Sequence, residues 1–260
     1  MKGVAISVCL AALASLVLAA PGPPDPRFPK TGQEWTPESL INPDELGDYF
    51  EGDIELPLPP RARNGVIDQR YRWTNGKVHY QFDSSFSEHN KDKVRAGMDH
   101  YKSLTGNCIT FHERSGEYDY IEFTHDNNDG CHSSVGKRGG RQTINYPTWC
   151  LDKFGSLVHE MYHALGFHHE QSRSDRDSYV TIMWDNIESG HEHNFNKYSS
   201  SEVSGFGEDY DYGSVMHYSA HAFSENGQKT IVTVDPGASI GQRVDLSHVD
   251  VRKLMSMYNC

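Results

Sequence analysis

Residues 159 to 170 read His159-Glu160-Met161-Tyr162-His163-Ala164-Leu165-Gly166-Phe167-His168-His169-Glu170, and this run limits the fold more than any other feature of the chain. Side chains four apart on a helix share a face, so His159 and His163 can offer two imidazole nitrogens to one ion. Glu160 is one residue out of phase, placed to reach a water on that ion without ligating the ion itself. Gly166 permits the left-handed backbone that ends a helix, and the resulting turn brings His169 back as a third ligand. Three protein ligands and an open position are the arrangement of a catalytic zinc, where water is acidified toward neutral pH and a carboxylate can take its proton. With this composition the extended pattern would arise by chance about three times in ten thousand, so a helix, a glycine stop and a returning histidine are expected of the fold. His168 is expected to be an exposed neighbour with no ligand role.

The 260 residues allow one large or two modest domains. A hydrophobic fraction of 36% and an aromatic fraction of 11% are those of a globular chain and exclude collagen, coiled coil and multispan membrane protein. With 24 basic against 36 acidic side chains the formal net charge is -12, which repels phosphate backbones, so nucleic acid is excluded as a partner. The one long apolar run, Val4 to Ala20, follows Lys2 and is broken by Pro21, Gly22, Pro23 and Pro24. With Val17 and Ala19 suiting signal peptidase, residues 1–19 read as a secretory signal, giving an extracellular protein with no membrane contact after its removal. Cys9 leaves with the signal. Cys108, Cys131, Cys150 and Cys260 remain for an oxidising compartment, and two disulfides are expected among three possible pairings.

Residues 20–63 are Pro-rich, with nine carboxylates against four basic side chains and few apolar residues able to build a core, as in a linker or prosegment. The segment ends in Arg61-Ala62-Arg63-Asn64, where a processing protease could cut after Arg63 and leave a domain of residues 64–260. Within that domain, short alternating runs at Lys77–Asp83, Cys108–Arg114, Tyr118–Thr124 and Arg141–Tyr146 read as strands. Ser87–Leu104, with Val94, Met98 and Tyr101 at helical spacing, reads as a helix, as do Leu151–Leu165 and Leu246–Tyr258. The stretch between the last two is polar and irregular.

The zinc motif, continued as Gln171-Ser172-Arg173-Ser174-Asp175-Arg176-Asp177, resembles that of the astacin family of metzincin metalloproteases. Ser214-Val215-Met216-His217-Tyr218 resembles the family's Met-turn, and Ile240-Gly241-Gln242-Arg243 a recurring family segment. The resemblance runs from Phe50 to Cys260. It implies an α+β fold: an N-terminal twisted, mostly parallel sheet with two long helices, an irregular C-terminal subdomain with one helix, and an active-site cleft between them. It implies one Zn2+ per chain on His159, His163 and His169, with Glu160 and Tyr218 catalytic and Met216 an apolar floor beneath the metal. His217 has no assigned role. Glu170 would face the new amino terminus at Asn64. Phe50-Glu51-Gly52-Asp53 matches the latency motif, making Asp53 the zinc plug of a zymogen. Family pairing implies Cys108 with Cys260 and Cys131 with Cys150. The expected function is that of a secreted, zymogen-activated zinc endopeptidase, monomeric, acting on protein or peptide substrates and depending on an activating protease. The alternative is a secreted zinc-binding structural or interaction module without catalysis, whose mark would be loss of Glu160, Tyr218 or the processing site. Arg243 is expected either to line the pocket after the scissile bond, favouring acidic side chains there, or to pair on the surface with Asp245.

Overall fold

Strand β1 (Lys77–Phe82) turns Val78 and Tyr80 to one face, and those two side chains are buried. The structure, a computed structural model, describes residues 25–56, 68–200 and 204–260. The expected signal at 1–19 and the Arg63–Asn64 bond lie outside the described residues. Helix α1 (Glu88–Leu104) is capped by Ser87, whose hydroxyl accepts from the Asn90 amide at 3.2 Å, and buries Val94, Met98 and Tyr101 along one stripe. Strands β2 (Thr110–Glu113), β3 (Tyr120–Thr124), β4 (His132–Ser133) and β5 (Arg141–Asn145) complete a five-stranded sheet of order β2-β1-β3-β5-β4. All its pairings are parallel except the last, where β4 runs antiparallel to β5 and forms an edge.

The expected single helix from Leu151 is two: α2 (Thr148–Leu151) and α3 (Phe154–Leu165). Lys153 is extended between them (φ −120°, ψ 103°), which re-aims the chain before the metal-binding turns. Gly155 follows at once, and a Cβ there would collide with the Arg243 backbone. Helices α1 and α3 share the main core with the sheet through Val94, Met98, Leu157 and Met161. A second core, around Phe195, Tyr210, Tyr218 and Phe223, holds β6 (Val180–Ile182) antiparallel to β7 (Ile231–Thr233). These two strands lie in the stretch that reads as irregular, since three residues are too few to show a period. Helix α4 (His248–Tyr258) closes the chain. Cys108 is joined to Cys260 and Cys131 to Cys150, the pairing that the resemblance implies.

Composition misleads on one segment. Residues 20–63 read as too poor in apolar side chains to pack, yet Ile41 and Ile54 are buried, and so are four carboxylates of the segment: Asp44, Glu45, Glu51 and Asp53. The segment is accommodated because the groups facing it are polar and oppositely charged, as the site shows. Its backbone also joins the sheet edge: Ser133 N donates to Asp53 O at 2.8 Å and Glu55 N to Ser133 O at 2.9 Å.

Candidate metal centre and active site

Helix α3 carries His159 and His163 on its buried side, and Gly166 ends it in the left-handed conformation (φ 117°) that the sequence calls for. Three residues on, His169 returns beside them, with ring centroids 5.3 Å from His159 and 4.7 Å from His163. Each ring places its Nδ1 against an acceptor: Val215 O for His159 at 2.9 Å, Phe167 O for His163 at 2.7 Å and Glu51 Oε2 for His169 at 2.7 Å. With Nδ1 donating, every Nε2 turns a lone pair inward. All three meet the Asp53 carboxylate, at 3.0 Å from His159, 3.4 Å from His163 and 3.4 Å from His169.

These four buried residues each offer a ligand atom within 4.8 Å of the others. His163 Nε2, His169 Nε2 and Asp53 Oδ1 have no hydrogen-bond partner, as suits atoms that ligate a cation. Burial and the Arg243 charge push His159 down to about 4. Burial acts likewise on His169 but is outweighed by Asp53 and Glu51, which draw it up to about 10. The Asp53 and Glu51 carboxylates around His169 favour positive charge at this point. Three imidazoles and one carboxylate suit zinc: the residues fit the ion.

Glu160 is wholly buried, and both its carboxylate oxygens lack a hydrogen-bond partner. Burial, reinforced by the Asp53 and Asp44 charges, pushes its carboxyl well above the usual range. The Tyr218 ring lies 4.6 Å from His169, and its hydroxyl donates to Glu51 O at 2.7 Å. Met216 is buried one residue past the His159 acceptor, and its carbonyl accepts from Glu170 N at 3.1 Å. The Met-turn is pinned from α4: Asp250 accepts from Ser214 Oγ at 2.6 Å, Val215 N at 2.9 Å and Ser247 N at 2.9 Å.

Two expectations are corrected. Arg243 is neither on the surface nor paired with Asp245, whose carboxylate meets His100 at 2.7 Å. It is buried, with Nη2 2.7 Å and Nε 3.0 Å from Asp44 Oδ2, and Glu45 stands 3.8 Å away. His168 is half-buried rather than exposed, its ring 4.4 Å from that of Tyr198, and burial pushes it down to about 3. Glu170, expected to face the new amino terminus at Asn64, is buried and held by Lys253 at 2.7 Å and Arg173 at 3.2 Å, while Asn64 lies outside the described residues.

Sequence reasoning missed Asp44, Glu45 and Glu51. Glu45 accepts from Ser219 N and Ser219 Oγ, each at 2.6 Å. Glu51 accepts from His169, from Ser172 at 3.3 Å and from Tyr198 at 2.8 Å. An acidic count reads as solvation, and only the position of Glu51 inside Phe50-Glu51-Gly52-Asp53 could have signalled a buried role.

Comparison with known proteins agrees with this geometry. The family model Astacin (peptidase family M12A) matches residues 65–259. Zinc metalloproteinase nas-4 of Caenorhabditis elegans is 39% identical over 226 residues, covering 83% of this chain and 70% of that protein. The beta subunit of human (Homo sapiens) meprin A is 44% identical over 216 residues, covering 82% of this chain and 30% of that protein. The chain thus spans between under a third and about 70% of the length of these relatives. High choriolytic enzyme 1, a hatching enzyme zinc-protease of medaka (Oryzias latipes), superposes with a TM-score of 0.70 at 35% identity, covering 76% of this chain and all (100%) of that one. Fold, buried three-histidine zinc site and sequence kinship coincide, and the chain belongs to the astacin family of zinc metalloproteases.

Proposed function

We propose that the chain is a secreted zinc endopeptidase held latent by residues 20–63 and released by cleavage after Arg63, following removal of a signal at residues 1–19. The observation that carries this is the Asp53 carboxylate seated among the Nε2 atoms of His159, His163 and His169. A prosegment carboxylate there takes the position a hydrolytic water needs.

When bound on the three histidines, zinc supplies Lewis-acid polarisation of the scissile carbonyl and acidifies water. The residues of the chain do the rest. Glu160, freed from Asp53, takes a proton from the attacking water and passes it to the leaving amine. The Tyr218 hydroxyl donates to a prosegment carbonyl in the latent form, and once that carbonyl leaves it can donate to the oxyanion instead. Substrate lies extended along β4, using the Ser133 backbone groups that now hold Asp53 and Glu55. Arg243, relieved of Asp44, accepts an acidic substrate side chain just past the scissile bond. The amino terminus at Asn64 joins Glu170 on processing. The enzyme acts on proteins or peptides as a monomer.

The test is direct. Trimmed protein should cleave a quenched fluorescent peptide, chelation should silence it, and Glu160→Ala should keep zinc yet lose turnover. The uncut chain should be inactive, and Asp53→Ala should leak. Full activity of the uncut parent would end the latency reading, and turnover by Glu160→Ala the catalytic one. A peptide-library profile that is the same for the parent and Arg243→Ala would remove Arg243 from the substrate pocket.

A further inference from the structure

The three zinc-binding imidazoles are not supported alike. The acceptors for His159 and His163, Val215 O and Phe167 O, belong to the catalytic domain and stay after processing. The acceptor for His169 is Glu51, two residues before Asp53 and on the prosegment. Glu51 is 1% exposed, and its carboxylate gathers three donors: His169 Nδ1 at 2.7 Å, Tyr198 Oη at 2.8 Å and Ser172 Oγ at 3.3 Å. Its backbone is gripped as well: the amide donates to Asn194 Oδ1 at 2.9 Å and the carbonyl accepts from Tyr218 at 2.7 Å. A non-glycine residue at φ 51° is held in the left-handed region, a conformation that persists only where its surroundings impose it.

A carboxylate on the far nitrogen of a ligating histidine fixes the ring and raises its basicity toward the metal. We propose that Glu51 is a positioning residue for His169, so that the prosegment completes the outer support of the zinc site as well as plugging it. The latent chain then holds zinc more tightly than the trimmed one for two separable reasons, Asp53 and Glu51. This rests on the zymogen reading for its biological sense, but its readout is metal affinity.

Chelator competition on the full-length chain tests it, using the parent, Glu51→Gln, Asp53→Asn and the double variant. Glu51→Gln should weaken zinc binding about tenfold, with a similar loss in the Asp53→Asn background, while the metal-free chain keeps its fold. Zinc held as tightly by a folded Glu51→Gln as by the parent would overturn the proposal. Should Glu51→Gln fail to fold, the trimmed parent replaces it: it should bind zinc more weakly than full-length Asp53→Asn, and equal affinities would overturn the proposal. An uncut parent active at the trimmed rate would sink latency while leaving these affinities to be read independently.

Discussion

Replacing Asp44 by alanine in the full-length chain should open the cleft without removing any metal ligand. Asp44 is wholly buried against Arg243 and also accepts from Ser156 Oγ at 2.6 Å. Removing one partner of such a pair costs about 3 to 5 kcal/mol, because the other charge stays buried without compensation. That penalty falls on the docked form alone, since an undocked prosegment leaves Arg243 to water. At about 1.4 kcal/mol per factor of ten, the open fraction rises roughly a hundredfold to several thousandfold. Asp44→Asn, which keeps an acceptor but no charge, should fall between. Both variants would be made with Arg63→Gln to block processing, then assayed for turnover of a quenched peptide and for proteolytic nicking of the prosegment. If neither readout differs from the Arg63→Gln parent, the Asp44–Arg243 pair is not what holds the prosegment down.

Three further outcomes follow from the geometry. Asp250→Ala strands Ser214 Oγ, Val215 N and Ser247 N, and should cost about 3 kcal/mol of stability at roughly 1 kcal/mol or more per orphaned group, read as a lower urea midpoint; an unchanged midpoint would refute the pinning of the Met-turn. Burial pushes His217 down to about 3, so the unfolded chain binds a proton near pH 6.5 that the fold refuses, and stability falls as pH drops through that window by about 1.4 kcal/mol per unit. By pH 4 that amounts to about 3 kcal/mol, and His217→Gln should flatten the acid limb by this amount; identical pH profiles would refute it. Serine at both Cys131 and Cys150, which close a loop of sequence separation 19, should cost about 3 kcal/mol, and a smaller m-corrected shift than about 1 kcal/mol would show that the β4 edge is held by other contacts.

The zinc helix and its stop were legible because their chemistry is local. Positions four apart and a glycine at the turn speak through neighbouring residues, and α3 with Gly166 follows that pattern. Four strands of the main sheet, β1, β2, β3 and β5, were legible for the same reason, with ends displaced by one or two residues, while the two-residue β4 is too short to show an alternation. The break at Lys153 was not, since the Leu151–Leu165 run carries no internal proline, and the close approach of Gly155 to Arg243 is a long-range contact. Nor were β6 and β7, which join residues about fifty apart through three-residue ladders. The largest misreading concerned residues 20–63. Asp44, Glu45 and Glu51 count as solvated acids in any composition, and their burial depends on Arg243, Ser219 and His169 standing opposite them.

Gly155 lies near the start of the helix that bears His159, and it touches the backbone of Arg243 with no room for even a methyl group. The guanidinium and the metal-binding helix are therefore in register like two marks on one ruler. On the proposed reading, in which Arg243 meets an acidic side chain just past the scissile bond, this contact holds the offset between that side chain and the cut. A larger residue at this position would move the second mark relative to the first.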